Sequence, residues 1–157
     1  MFYRILSYHI LLNNRLHEAS QVYRDIVNAL HWLNEGGTIV LHDCNPRGFL
    51  DISASYPMHP DAAGNWNGDS WKATVWIRLW SFVEVVVVDA DHGIGVIRRR
   101  RNNHPLSQHW QERLIAPSSP SHALSNSDLR QHRSELIRLV TVQGMLDWLA
   151  EEDMNEP

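Results

Sequence analysis

Gly36-Gly37-Thr38-Ile39-Val40-Leu41-His42-Asp43-Cys44-Asn45-Pro46 is the stretch that decides the fold. Two glycines close off the element before it. Thr38 to Leu41 are mostly β-favouring and apolar at consecutive positions, the pattern of a strand buried on both faces between helix layers. Polarity then flips to His-Asp-Cys-Asn, and Pro46 has no N–H with which to continue a ladder. A buried strand that ends in titratable groups is how open α/β sheets build sites, because ligands sit beyond the carboxyl ends of the strands.

Upstream, Ile5 to Leu12 is predicted to be a strand that Asn13-Asn14 breaks. Glu18 to Leu33 is predicted to be a helix, since Ala19, Val22, Tyr23, Ile26, Leu30 and Leu33 recur at steps of three and four. Glu18 lies in its first turn, where the dipole favours an acid, and Gly36-Gly37 stops it. Strand, crossover helix and strand in one sheet imply parallel pairing and a right-handed connection.

Downstream, residues 47–67 are rich in Pro, Gly, Ser, Asn and Asp, a long loop of the kind that covers a site. Gly68 to Trp80 is predicted to be a helix with either Trp71, Val75 and Leu79 or Trp76 and Trp80 on its inner side. Val83 to Asp89 and Gly95 to Arg99, joined by Asp91-His92-Gly93, form an antiparallel hairpin. Asn102 to Ser121 has two proline-containing breaks and no clear period, so loop is expected. Ser127 to Val140 is predicted to be a helix capped by Ser125 or Ser127. Val142, Met145, Leu146 and Leu149 define a second, shorter one. Its acidic end, Glu151-Glu152-Asp153, opposes the dipole and is expected to fray.

The 157 residues suffice for a single domain with a real core. The expected division is a core over 5–100 and a C-terminal helical extension over 122–153. No run approaches the roughly 18 apolar residues of a membrane span, and no signal peptide is evident. A net charge of -4 argues against nucleic acid or an acidic membrane surface as partner. Lys72 is the only lysine. The single cysteine, Cys44, excludes an internal disulfide and fits a reducing compartment, so the expected location is the cytoplasm.

Leu16-His17-Glu18, Gln21-Val22, Arg24-Asp25-Ile26, Asn28-Ala29-Leu30, Gly36-Gly37 and Ile39 to Pro46 together resemble the second half of a class I S-adenosylmethionine-dependent methyltransferase. The branch in question ends its fifth strand in Leu-His-Asp-Cys-Asn-Pro. Gly68-Asp69, Trp71-Lys72-Ala73 and Arg78 resemble its next helix, Val86 to Arg98 its final hairpin, and Arg133 to Leu149 its C-terminal helices. The resemblance implies an α/β fold: a partial Rossmann-like sheet of about four strands with flanking helices and the antiparallel hairpin at its end. The hairpin's last strand would insert next to the second strand. It also implies S-adenosylmethionine as cofactor and a small-molecule or sugar acceptor methylated on oxygen or nitrogen.

Two departures stand out. The family's preceding half, with its Gly-rich loop and ribose-binding acid, has no counterpart, so a truncated methyltransferase-like domain is expected. The only Gly-x-Gly, Gly93-Ile94-Gly95, joins two strands and cannot aim helix N–H groups at a cofactor. Where the family's fourth strand ends in Asp-Gly, this chain has Asn14-Arg15. A strand over Ile5 to Leu12 without its usual neighbour leaves an open edge, which invites self-association or a partner chain.

His17, His42 and Asp43 are expected to converge at neighbouring strand ends. An imidazole with a near-neutral pKa suits proton abstraction, which makes His42 and His17 candidate catalytic bases. Asp43 with His17 and His42 is also a candidate site for a divalent metal such as Mg²⁺. The alternative is structural: Asp43 caps a loop and His42 packs on a carbonyl. Asp69, Trp71 and Lys72 are candidates for the acceptor pocket; alternatively Asp69 opens a helix, Trp71 is core and Lys72 is solvated. Cys44 reads as a small buried thiol. With no His-Glu-x-x-His and no Cys-x-x-Cys, nothing points to structural zinc. Arg98 to Arg101 is either a solvated strand end or an anion site. Three functions remain open: a methyltransferase, a non-catalytic remnant or binding module, and a metal-dependent hydrolase.

Overall fold

A computed structural model describes residues 9–12, 17–34, 36–47, 66–115 and 123–151. Strand β1 (His9–Leu12) leads to helix α1 (Ala19–Trp32) and strand β2 (Thr38–Leu41). Helix α2 (Trp71–Ile77) precedes strands β3 (Glu84–Val88) and β4 (Ile94–Arg98). Helices α3 (Gln108–Ile115) and α4 (Asn126–Leu136), strand β5 (Leu139–Val140) and helix α5 (Val142–Ala150) complete the chain. The fold is α/β, with one mixed sheet in the order β1-β2-β4-β3-β5. β1 and β2 are parallel, in the register Ile10 to Ile39. β4 runs antiparallel between β2 and β3, and β5 adds parallel to β3.

The period-two side-chain alternation of a strand divides the core. Val85 and Val87 of β3 join Ile39, Leu41 and Ile97 under α1, α2, α3 and α4. Val86 and Val88 face the other way and pack with Val96 on Trp148 of α5. α1 buries Ala19, Val22, Ile26, Ala29 and Leu30, one stripe at helical spacing. Its Tyr23 ring meets Trp76 edge-on at 5.7 Å, which docks it on α2.

Three expectations need correction. Residues 108–115, within the stretch expected to be loop, form α3. Its buried side chains are only Trp110 and Leu114, and with Leu106 they make a single line at four-residue steps. Eight residues expose so much polar surface that this line carries little periodic signal. The helix expected over Ser127 to Val140 ends at Leu136, and Arg138 takes a left-handed φ of 48°. That reversal frees Leu139 and Val140 to pair with Val87 and Val88, giving a fifth strand where about four were expected. The C-terminal stretch therefore contributes to the sheet and not helices alone. Ser125 caps α4 in a capping box with Asp128. The expected strand residues 5–8, most of the long loop (48–65) and Glu152-Asp153 lie outside the described residues.

Two buried charges lock the C-terminal elements. Arg78 donates to the Glu135 carbonyl, to the Leu136 carbonyl at 2.8 Å and to the His104 carbonyl at 2.9 Å, closing the carbonyl end of α4. Burial, then the charge of Arg138, pushes its pKa down to about 10. Glu84, 1% exposed, shares the α5 face of β3 with Val86. It accepts from Arg100 Nε at 2.6 Å, His104 Nδ1 at 2.7 Å, Trp148 Nε1 at 2.8 Å and Arg138 Nη1 at 3.2 Å. Burial alone would raise its pKa. The bonds from His104, Trp148 and Arg100 together outweigh burial and hold it at about 2.

Candidate functional site

β1, β2 and β3 run in one direction, so their carboxyl ends lie along the same edge of the sheet, with β4 between β2 and β3. His42 and Asp43 follow β2 directly, His17 precedes α1, and Asp91 sits in the turn between β3 and β4. These four side chains form a row. His42 Nδ1 lies 3.0 Å from Asp43 Oδ2, and His42 Nε2 lies 2.8 Å from Asp91 Oδ2. His17 Nε2 stands 3.5 Å from the same Asp43 Oδ2. Asn67 Nδ2 donates to the other oxygen, Asp43 Oδ1, at 2.6 Å. The expected convergence of His17, His42 and Asp43 is thus present in the geometry.

Ionised carboxylates only accept, so a carboxylate at each ring nitrogen favours the imidazolium form of His42. Burial pulls its pKa down, but the bond to Asp91 and the charge and bond of Asp43 outweigh this and raise it. Asp91 is the outer partner, 61% exposed, and its own pKa is lowered chiefly by the His42 bond. His17 is held differently. Its ring stacks on Trp66 with centroids 4.8 Å apart and planes 5° from parallel. Its Nδ1 is buried without a hydrogen-bond partner among the described residues.

The backbone pays for this arrangement. His17, Asp43 and Asp91 have φ of 46°, 60° and 50°, and among described non-glycine residues only Arg138 shares that left-handed region. Such positions cost on the order of 1–3 kcal/mol, less for Asp, and persist where surrounding structure over-determines them. Two glycines provide that surrounding structure. A Cβ on Gly68 would stand 2.0 Å from the His17 carbonyl oxygen. That oxygen accepts from Asp69 N–H at 3.0 Å. A Cβ on Gly93 would stand 2.3 Å from the Asn45 backbone nitrogen. There Cys44 N–H donates to the Gly93 carbonyl and Asn45 N–H to that of His92, at 3.0 and 2.8 Å.

The other candidates take structural positions. Asp69 is buried, with Oδ1 accepting from Ala19 N–H at 2.8 Å at the start of α1 and Oδ2 meeting Lys72 Nζ at 3.1 Å. Lys72 is therefore paired and only partly exposed, and Trp71 is fully buried in the core. Cys44 is buried and its pKa is pushed up to about 12 by that burial, leaving an inert thiol. Three of the four arginines of the Arg98 to Arg101 run are used internally, and Arg101 is exposed. Arg98 and Arg99 donate to the Gly36 and Leu33 carbonyls beyond α1, and Arg100 holds Glu84.

Neither the S-adenosylmethionine that the resemblance implies nor the divalent metal read from the His17, His42 and Asp43 cluster finds a fitting site among the described residues. No set of three or more His, Cys, Asp or Glu among them has metal-binding geometry. Asp43 already has both oxygens engaged. Gly93 lies in a hairpin turn and Gly95 inside β4, so the Gly-x-Gly forms no strand-to-helix cradle for a nucleotide. No described helix is long and apolar enough to cross a membrane.

Sequence reasoning missed Asp91, Trp66 and Asn67 as members of the site. Asp91 had a signal: a hairpin strand parallel to β2 ends its turn at the same edge of the sheet. Trp66 and Asn67 lie at the end of a loop whose path the sequence does not specify.

The chain matches no family model, no curated protein and no solved structure.

Proposed function

We propose that this chain is the acceptor-side half of a class I methyltransferase-like domain, acting on an oxygen or nitrogen of a small molecule or sugar in the cytoplasm. The observation that carries the reading is the sheet. Parallel β1 and β2, with the reversed β4 inserted between β2 and β3, is the order the resemblance implies, and β2 ends in the titratable row. The methyl donor has no cradle among the described residues, so the reading covers acceptor binding and proton handling only.

His42 is the base and Asp43 its orienter. As the acceptor hydroxyl or amine displaces the exposed Asp91, the imidazolium releases its Nε2 proton to bulk water, which leaves a free lone pair on Nε2 facing the acceptor. Asp43 keeps Nδ1 protonated and fixes the ring, the role a buried carboxylate plays beside a catalytic imidazole. Nε2 then accepts the acceptor's proton. His17, stacked on Trp66, closes the far side of Asp43. A binding module that holds the acceptor without turnover is the second reading, favoured by the hairpin position of Gly93 and Gly95.

The test is methyl transfer from labelled S-adenosylmethionine, at millimolar donor, to a panel of hydroxylated and amino small molecules. Slow, non-saturating transfer that falls by about 10² or more in His42→Ala is expected. Titration with S-adenosylhomocysteine should show nothing as tight as the low micromolar range, about -8 kcal/mol. Acceptor binding without transfer would leave the binding-module reading. Neither binding nor transfer would remove both.

A further inference from the structure

Asp91 has a second imidazole within reach. Its Oδ2 lies 2.8 Å from His42 Nε2, and its other oxygen, Oδ1, lies 3.9 Å from Nε2 of His92, the next residue of the turn between β3 and β4. The two rings stand 6.0 Å apart between centroids, with planes at 73°. One carboxylate therefore addresses an Nε2 atom of each. The first contact is a charge-assisted hydrogen bond, and the second falls about 1 Å beyond hydrogen-bond length.

The carboxylate is free to turn, while the backbone that carries it is fastened. Asp91 is 61% exposed and His92 35%. Their turn is tied to the end of β2: Asn45 N–H donates to the His92 carbonyl at 2.8 Å, and Cys44 N–H to the Gly93 carbonyl at 3.0 Å. Gly93 N–H closes the turn on the Ala90 carbonyl at 2.8 Å. A change of partner from His42 to His92 thus needs only rotation about the side-chain bonds of Asp91, which is fast for an exposed residue. A carboxylate that leaves an imidazolium for water gives up a bond stronger than a neutral one. A move to His92 replaces that bond, because a ring with Nε2–H donates both as that neutral tautomer and when protonated. His92 already acts on Asp91: the His42 bond is the first cause of the lowered Asp91 pKa, and the charge and backbone N–H of His92 lower it further.

We propose that Asp91 is a two-position carboxylate, closing His42 Nε2 in the ligand-free chain and turning to His92 when the acceptor hydroxyl or amine takes its place. His92 is then a positioning residue. It lowers the free energy of opening and keeps the carboxylate one rotation away from closing again. The part played in acceptor entry rests on the methyl-acceptor reading, whereas the exchange of partners is a property of the chain without ligand.

The experiment is an NMR measurement of water exchange at the His42 Nε2–H of the isotope-labelled, ligand-free chain, at low temperature and at a pH where His42 is an imidazolium. Exchange requires Asp91 to have left Nε2, so its rate reports the population of the open position. His92→Phe keeps a ring on the turn and removes the donor. It should slow exchange several-fold, up to about tenfold for one exposed charge-assisted bond. His92→Gln, with an N–H₂ at similar reach, should bring the rate back toward that of the parent chain. Asp91→Asn should speed it, because the closing charge is gone. Exchange in His92→Phe at the parent rate or faster, no recovery in His92→Gln, or an unaltered rate in Asp91→Asn would each overturn the two-position carboxylate. The expected rates in a chain that transfers no methyl group would support the change of partner while removing its role in acceptor entry. Methyl transfer with rates unaltered in all three variants would keep the base and remove the change of partner.

Discussion

Glu84→Gln should destabilise the protein by about 3 kcal/mol at neutral pH, and the deficit should fade in acid. The carboxylate is 1% exposed and accepts from Arg100, His104, Trp148 and Arg138. A carboxyl held at about 2 against an ordinary 4.5 corresponds to roughly 3 kcal/mol of preference for the ionised form in the fold. The folded-state pKa is depressed, so this stabilisation is complete above about 4.5 and is lost as pH falls through about 2. Glutamine keeps the shape and has no charge at any pH. It also turns an amide N–H₂ toward donors and leaves two guanidinium groups facing a neutral side chain, a further penalty of the kind that follows loss of one buried partner. For a chain of this size 3 kcal/mol lowers Tm by roughly 6–12 °C. Urea unfolding followed by tryptophan fluorescence at several pH values between 7 and about 3 measures both variants. A deficit under about 1 kcal/mol at pH 7, or one that stays constant down to pH 3, would refute the reasoning.

Gly68→Ala should cost more than about 2 kcal/mol, since the new Cβ meets the His17 carbonyl oxygen at 2.0 Å at a φ of 61°; a loss within about 0.5 kcal/mol would show that the 66–70 segment is not latched to His17. Mg²⁺, Mn²⁺ and Zn²⁺ should leave Tm unchanged, because Asp43 already serves His42, His17 and Asn67. A shift that disappears in Asp43→Ala would restore Asp43 as a metal ligand. β1 ends the sheet and pairs only with β2 among the described residues, so the chain should self-associate or take up a partner strand through that edge. Sedimentation should show assembly that Ile10→Lys weakens, and a stable monomer at high micromolar concentration would sink the idea.

Much of the layout was legible because it depends on local pattern. The continuous Val85 to Val88 run is buried on both faces, and the stripe from Ala19 to Leu30 and the glycine-bounded Thr38 to Leu41 bury what their patterns imply. Parallel β1 and β2 followed from the crossover connection and the β3–β4 hairpin from its turn, whereas the insertion of β4 beside β2 was an expectation of the resemblance alone. What escaped was set by partners far along the chain. Glu84 opens a valine run and reads as a polar strand end. Its burial depends on Arg100, His104, Arg138 and Trp148, which no window contains together. β5 is two residues long and exists because Arg138 reverses the chain. Asp91 reads as an ordinary turn residue until the sheet places it beside His42.

The two ends of β3 differ in kind, and that difference bears on what the molecule can do. At its amino end, the buried carboxylate of Glu84 collects four donors and ties α5 and the 98–104 segment to the sheet. At its carboxyl end, three left-handed residues hold a half-exposed row of imidazoles and carboxylates, whose outermost bond, from His42 to Asp91, lies in solvent. Stability of order 5–15 kcal/mol for a domain leaves little room for backbone strain unless rigid packing elsewhere supports it. A strained, displaceable polar row at one end and a saturated charge cluster around a buried carboxylate at the other is therefore a division of labour between binding and stability. It follows that Glu84→Gln should lower Tm while leaving the imidazole NMR signals of His42 unchanged below the transition. Asp91→Asn should do the reverse, barely moving Tm while altering how His42 meets an incoming hydroxyl.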